Sequence, residues 1–176
     1  MKVELKANGK TVQAEITKEQ AKILGLVEER SRTGYERVEK SETYYVINTE
    51  DDSMMNITEF NDQTDERCYN TGNYYSDKTI AENNARADRL FRQLRQWQAQ
   101  NDKPISMSDW KNDKINKYCI AYNYSLNELN TGMERKLRRP NAIYFSTFQK
   151  TEEAIEVFRD ELLWYFTEYQ QRLDEE

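Results

Sequence analysis

The chain has 176 residues, of which 37% are hydrophobic and 33% are charged, and its formal net charge is −6. This length fits one domain or two very small ones, and the negative charge argues against general affinity for nucleic acids or anionic membranes, which are polyanions. Histidine is absent, which excludes Ser-His-Asp and Cys-His nucleophiles and histidine-ligated zinc. No apolar run approaches the roughly 18 residues of a membrane span, and no signal peptide is expected.

The first predicted region is an appendage, residues 1–33. Residues 2–16 predict a β-hairpin, because apolar and polar residues alternate on both sides of Asn8-Gly9, a pair typical of a type I′ turn. A short helix should follow, with Thr17 as N-cap and Gln20 completing a capping box, and Gly25 should end it. Residues 27–42 are mostly charged and are predicted to extend this helix or to form a linker.

The second region, residues 34–103, is predicted to contain strands followed by one long helix. The β-rich stretches are Thr43–Asn48, Met54–Phe60, Arg67–Asn70 and Asn73–Tyr75. Ser76-Asp77 should cap the helix, whose apolar residues recur at helical spacing until about Asn101.

The third region, residues 104–176, repeats this order. Ser108-Asp109-Trp110 should start a short helical turn. The predicted strands are Lys117–Tyr124, Met133–Arg138 and Ile143–Phe145, and a helix should begin near Thr151. Both regions thus predict a strand–strand–strand–helix unit, which suggests an internal duplication and an α+β fold in which each sheet packs on its own helix.

The segment Glu42 to Glu66 contains eight acidic residues and no lysine or arginine. It is either a solvated surface or a negative ribbon that docks on a basic groove of a partner protein, as a nucleic-acid mimic would. A third interpretation is a divalent-metal site, although the Asp-x-Asp-x-Asp-Gly pattern is missing. The predicted partner-binding residues of this acidic hairpin are Glu50, Asp51, Asp52, Glu59, Asp62, Asp65 and Glu66.

Two basic clusters form the alternative site. They either pair with the surplus carboxylates and cover apolar surface, or line one groove for RNA or DNA phosphates with aromatic rings nearby for base stacking. The first cluster recurs every three residues on the long helix, and the second precedes the last strand. Their members are Arg86, Arg89, Arg92 and Arg95, then Arg135, Lys136, Arg138 and Arg139.

Sequence motifs for catalysis are missing. There is no P-loop, dinucleotide fingerprint, zinc spacing, nucleophile elbow or kinase set. Cys68 and Cys119 lack metal or redox spacing and are predicted to be reduced thiols. The sequence therefore predicts a protein that is not an enzyme, with no catalytic residue, metal or cofactor.

Several stretches resemble small proteins encoded by phages and prophages of Gram-positive bacteria. They are GYERVEK, TYYVIN, TGNYYSDKTIAENNARADRL, SDW, KYCIAYNY and IYFSTFQKTEEAIEVF, and they span Gly34 to Phe158. The motifs are structural, so the resemblance implies no catalytic residue. It implies a phage accessory protein in the host cytoplasm, a class that includes anti-CRISPR proteins that bind a Cas effector.

The leading hypothesis from the sequence is a counter-defence protein that inhibits a host Cas nuclease or another defence protein through its acidic hairpin. The first alternative is a nucleic-acid-binding accessory protein that uses the arginine clusters. The second is a guide-RNA nuclease that relies on carboxylates and Mg²⁺. No membrane partner is expected, and the oligomeric state stays open.

Overall fold

The structure, a computed structural model, describes residues 2–7, 10–25 and 32–175. The chain divides into two compact units, residues 1–33 and residues 34–176. Helices and strands are mixed along the chain, which confirms the predicted α+β class. None of the helices in the described ranges combines the length and the apolar character needed to span a bilayer.

The N-terminal unit contains the predicted hairpin and short helix. Its elements are β1 (Lys2–Ala7), β2 (Lys10–Glu15) and α1 (Lys18–Ile23), and the two strands pair antiparallel. The capping box is confirmed, because the amide of Gln20 donates to Thr17 Oγ1 at 3.1 Å and the amide of Thr17 donates to Gln20 Oε1 at 3.0 Å. Gly25, at φ +64°, follows the helix end as predicted. The Asn8-Gly9 turn and residues 26–31 lie outside the described residues.

The first sheet of the second unit is an antiparallel hairpin that packs on a helix through each face. Its elements are β3 (Thr43–Ile47), β4 (Met54–Thr58), α2 (Gln63–Asn70) and α3 (Lys78–Asn101). Tyr44 and Val46 face Cys68 of α2, whereas Tyr45 and Ile47 face Ile80 of α3. Successive side chains of β3 thus point to opposite faces of the sheet and contribute to two separate apolar layers.

The predicted strand at Arg67–Asn70 is wrong, since these residues form the end of α2. The helix is favoured by a capping box: the side chain of Asp62 accepts from the amides of Thr64 and Asp65, and Asp65 accepts from the amide of Asp62. Aspartate at N3 completes this motif in the same way as the more usual glutamate.

The predicted strand at Asn73–Tyr75 is reduced to a single bridge between Tyr75 and Tyr45. The side chain of Asn73 takes the place of a backbone ladder, because it bonds both the amide and the carbonyl of Ile47 at 2.8 Å. The predicted helix start is confirmed, since Asp77 caps α3 by accepting from the amide of Ile80. Its predicted end at Asn101 is also confirmed.

The second sheet has the strand order β6-β5-β7, and its Ile120 and Leu129 pack on a core formed by three helices. The elements are α4 (Met107–Lys111), β5 (Lys117–Asn123), β6 (Glu128–Glu134), β7 (Tyr144–Phe145), α5 (Phe148–Val157) and α6 (Arg159–Thr167). The helix predicted from Thr151 begins earlier, because Thr147 caps it, and it is interrupted at Phe158.

The predicted strand at Met133–Arg138 is wrong in position, because β6 ends at Glu134. Gly132 of β6 pairs with Cys119 inside the sheet. A Cβ at Gly132 would lie 3.2 Å from the Cys119 sulfur, so glycine allows the two strands to pack closely at this position. The turn between β5 and β6 follows Asn123, whose side chain accepts from the amide of Ser125.

Both halves of this unit share one topology: a hairpin, a short antiparallel segment on the free edge of its first strand, and a helix. The segments bridge Tyr75 to Tyr45 in the first half and Phe145 to Tyr118 in the second. Helix α3 spans both halves, since its N-terminal part packs on the first sheet and Leu90 packs in the core beside α5 and α6. The C-terminal part of α3 is thereby brought next to β7.

Candidate functional site

Two of the predicted acidic site residues are buried rather than displayed. The side chain of Glu59 is fully enclosed. It accepts from the hydroxyl of Tyr74 at 2.7 Å, from the amide of Asn61 at 2.8 Å and from Arg37 at 3.1 Å. A buried charge needs such partners, because removing it from water without compensation is expensive. Glu59 is therefore a structural residue inside the first half of the larger unit rather than an exposed binding residue.

Asp65 is the second buried acid, and its oxygens are also saturated. They accept from the hydroxyl of Tyr44 and from the amide of Phe60, each at 2.8 Å, and from the amide of Asp62. Burial alone would raise the pKa of Asp65, but the hydrogen bonds from Tyr44 and the two amides outweigh it and lower the pKa to about 2. Asp65 is a structural carboxylate at the start of α2.

The other predicted acids have mixed surroundings. Asp52 forms ion pairs with Arg89 and Arg92, and the hydrogen bond from Arg89, helped by Arg92, holds its pKa below the ordinary value. Glu66 pairs with Arg37 at 2.5 Å. Within the acidic segment Glu42–Glu66, four exposed carboxylates form no ion pair with any described residue: Glu42, Glu50, Asp51 and Asp62. The predicted acidic hairpin is also not one element, because Asp65 and Glu66 lie on α2.

Three of the four arginines of the first basic cluster are already paired with acids. Arg86 pairs with Glu161 of α6 at 2.8 Å, and Arg89 and Arg92 pair with Asp52. Arg95 differs: it is exposed and forms no ion pair with any carboxylate of the described residues. Arg95 is therefore the arginine of this cluster that a ligand can reach without breaking an ion pair.

The second basic cluster shows the same division. Lys136 pairs with Asp113 at 3.1 Å, Arg139 pairs with Glu134 at 2.8 Å, and Arg135 donates to Asn116 Oδ1 at 3.0 Å. Arg138 forms no ion pair within the described part of the chain, and its guanidinium lies 5.6 Å from the ring centroid of Trp110.

Arg95 and Arg138 line the same concave site, which is termed the Trp110 cleft. Its volume is about 350 Å³. Helix α3 contributes Arg95, α4 contributes Trp110, and the loop before β7 contributes Arg138. The remaining lining is mainly apolar: Gln98, Pro104, Ile105, Ala142, Ile143 and Tyr144.

The indole of Trp110 is held in place by its neighbours. Ser106 and Asp109 form a capping box that starts α4, and the half-buried Trp110 then packs edge-to-face on Tyr144, with ring centroids 4.9 Å apart. The Tyr144 hydroxyl donates to the carbonyl of Leu137 and accepts from the amide of Arg139, which fixes the backbone on both sides of Arg138. These contacts fix the indole of Trp110 and the backbone beside Arg138.

Lys117 adds a third positive charge beside the indole. Its ammonium is fully buried, donates to the carbonyls of Asn112 and Arg135, and lies 5.3 Å from the ring centroid of Trp110. Both bonds go to neutral carbonyls. The hydrogen bonds from Ser106, helped by the charges of Lys103 and Lys117, lower the pKa of Asp109, so this carboxylate partly offsets the positive charge of Lys117.

The surrounding segments, residues 102–117 and 134–139, are termed the basic corner. They contain eight lysines and arginines and four acids, in a chain whose net charge is −6. The ion pair between Lys136 and Asp113 and the hydrogen bond from Arg135 to Asn116 hold the two segments together. Positive charge is thus concentrated around the cleft.

Sequence reasoning found both arginine clusters but missed Trp110 as a site residue. The signal that could have found it is the Ser106-x-x-Asp109 capping box, which fixes the start of α4 and hence the position of the indole. The meeting of Arg95 with Arg138 depends on the docking of α3 against β7, where Gln98 donates to the carbonyl of Tyr144. Local sequence does not encode that contact.

A scan against protein-family models finds no match, and searches of the curated proteins and of the solved structures find no significant match either. In the ranges that the structure describes, no three Cys, Asp or Glu side chains converge as a set of metal ligands.

Proposed function

We propose that the protein binds nucleic acid through the basic corner and the Trp110 cleft. The observation that carries this proposal is that Arg95 and Arg138, one from each basic cluster, line the same cleft without a carboxylate partner among the described residues. Phosphates can bind to both guanidinium groups without displacing an ion pair. Arginine suits this task because its planar fork matches phosphate oxygens.

The charge distribution sets the expected strength of binding. Cations that neutralise phosphates release condensed counterions, so affinity falls steeply as salt rises. The net charge of −6 opposes approach of a polyanion at long range, whereas the basic corner attracts it locally. We expect dissociation constants in the range of about 10⁻⁴ to 10⁻⁶ M, as for sequence-independent binding.

The test is fluorescence anisotropy with labelled DNA and RNA oligonucleotides over a series of salt concentrations. The double variant Arg95→Ala/Arg138→Ala should bind more weakly and should reduce the slope of log affinity against log salt by about 2, because two phosphate contacts are lost. Arg89→Ala/Arg92→Ala also removes two positive charges, both from α3, and is the matched control. Its slope should stay near wild type, since both arginines are held by Asp52.

Two results would contradict the proposal. One is the absence of any anisotropy change with single-stranded or duplex probes at low salt. The other is an equal loss in both double variants, which would mean that only overall charge matters and that the cleft has no special role.

A counter-defence function is the second candidate, and it rests on the exposed carboxylates Glu42, Glu50, Asp51 and Asp62 together with the resemblance to phage proteins. A tagged protein should retain a Cas nuclease from a bacterial lysate after nuclease treatment. The variant Glu50→Gln/Asp51→Asn/Asp62→Asn should lose that band, while Asn at position 62 preserves the helix cap. Retention of the band by this variant would remove the acidic surface from the mechanism.

A further inference from the structure

We propose that the Trp110 cleft holds one unstacked nucleobase, so that the protein selects single-stranded nucleic acid over duplex. This inference rests on the proposed function, because it assumes that phosphates bind to the basic corner. It adds a contact to the base, which the two arginines alone do not provide.

The lining of the cleft matches the two chemical parts of a nucleotide. The cleft is small for a ligand site, at about 350 Å³, and its walls are the indole of Trp110, the ring of Tyr144 and aliphatic groups such as Ile105 and Ile143. These surfaces suit a flat base, whereas the exposed Arg95 and Arg138 suit its phosphate. Aromatic platforms beside a positively charged groove are how proteins bind single strands without reading their sequence.

The position of Arg138 adds to this match. Its guanidinium already lies over the indole of Trp110, at 5.6 Å from the centroid. The side chain is exposed, so it can move aside and stack on the entering base, since arginine planes and indoles both stack on aromatic rings. The base would then be held between Trp110 and Arg138.

The second groove along α3 shows why the Trp110 cleft is the better candidate. That groove is larger, at about 510 Å³, and Arg86 and Arg89 lie in its lining. It is also lined by three carboxylates, those of Asp52, Glu82 and Glu161, and no aromatic ring belongs to its lining. A phosphate there would meet acids that already neutralise the arginines, and a base would find no platform.

Selection for single strands follows from stacking. A base inside a duplex has both faces covered by its neighbours, so it must unpair and leave the stack before it can reach Trp110, which costs free energy. A base in a flexible single strand is exposed at much lower cost.

The experiment compares three probes with the wild-type protein by fluorescence anisotropy: a mixed-sequence single-stranded DNA, the same strand with abasic nucleotides throughout, and the blunt duplex. All three carry phosphates, but only the first offers free bases. We expect the abasic strand to bind about tenfold more weakly or worse, because stacking on one aromatic side chain has about this effect per base. The duplex should also bind more weakly per phosphate.

A variant pair tests the residue itself. Trp110→Leu should abolish the preference for the intact strand over the abasic strand, while Phe148→Leu, which changes an exposed ring on α5 outside the cleft lining, should keep it. Urea unfolding of both variants checks that each is folded. If Trp110→Leu does not fold, the comparison of the three probes with the wild-type protein still tests the proposal.

Each outcome decides the matter. Equal affinity for intact and abasic strands overturns the base pocket and leaves phosphate binding intact. A duplex preference also overturns it. Absence of binding to all three probes overturns the proposed function and this inference together.

Discussion

The two sheets of the larger unit differ in how many of their faces are covered by helices. The β3–β4 hairpin packs through one face on α2 and through the other on α3. The β5–β6 hairpin packs Ile120 on the helical core, whereas Cys119, Ala121 and Asn123 of the opposite face belong to none of the core clusters formed by the described residues. The charged residues beside the two sheets also differ in their surroundings.

In the covered half, acids become structural. Glu59 and Asp65 are enclosed and saturated with donors, and the tyrosines that serve them, Tyr44 and Tyr74, stack with ring centroids 4.0 Å apart. In the open half, Arg138 and its neighbours remain at the surface around a cleft. The most acidic segment of the sequence thus contributes to packing, while the basic segments offer the accessible site.

The largest expected effect that tests this comparison is the removal of a buried acid from the covered half. Glu59→Ala leaves the hydroxyl of Tyr74, the amide of Asn61 and the guanidinium of Arg37 without their acceptor. We expect the free energy of unfolding to fall by about 3 kcal/mol, as when one partner of a buried ion pair is lost. Urea unfolding followed by circular dichroism measures it.

The control for this variant is Glu50→Ala, which changes an exposed acid of the same segment and should alter the free energy of unfolding by less than about 0.5 kcal/mol. If the two variants were equally stable, the covered half would not depend on its buried carboxylates, and the comparison would fail.

A smaller effect is expected from one hydroxyl in each half. Tyr44→Phe removes the donor to buried Asp65 and should lower the free energy of unfolding by about 1–3 kcal/mol. Tyr122→Phe makes the same change in the second sheet, where the ring stacks on Phe166. The Tyr122 hydroxyl has no hydrogen-bond partner within the described residues, so we expect little change. A larger loss for Tyr122→Phe would reverse our view of which half is tightly bonded.

The dependence of stability on pH should reflect Asp65. Its pKa is lowered from 3.8 to about 2 in the folded protein, so the carboxylate contributes stability that is present above about pH 4 and is lost as the pH falls through about 2. The urea midpoint of the wild type should decline over this window. Asp65→Asn lacks the titrating group and should decline less steeply, whereas parallel curves would exclude Asp65 as the cause.

The smallest effect is expected for the ion pair that joins α3 to α6. Arg86 and Glu161 are each 41% exposed, so solvent screens their attraction. Glu161→Gln should lower the free energy of unfolding by less than about 1 kcal/mol. A loss comparable with that of Glu59→Ala would show that exposed pairs matter as much as buried ones in this protein.

Much of the secondary structure follows from local patterns that the sequence displays. Alternating residues predicted β1 and β2, β-rich stretches predicted β3, β4 and β5, and the caps at Thr17 and Asp77 predicted where α1 and α3 begin. Two errors come from local caps that the sequence displays: Asp62 with Asp65 starts a helix before the predicted strand Arg67–Asn70, and Thr147 starts α5 early. A third has a long-range cause, because Asn73 replaces a strand by bonding Ile47.

The candidate site depends even more strongly on contacts between residues that are distant in sequence. The sequence by itself determined the two arginine clusters, the acidic segment and the elements that carry them. It did not show that Arg95 is unpaired and Arg89 is paired, because both lie on α3 with the same three-residue spacing. Only the tertiary structure decided that Asp52 would neutralise Arg89 and that Arg95 would meet Arg138 beside Trp110. The physical reason is that the availability of a charge depends on desolvation and on neighbours in space, which are set by packing between elements.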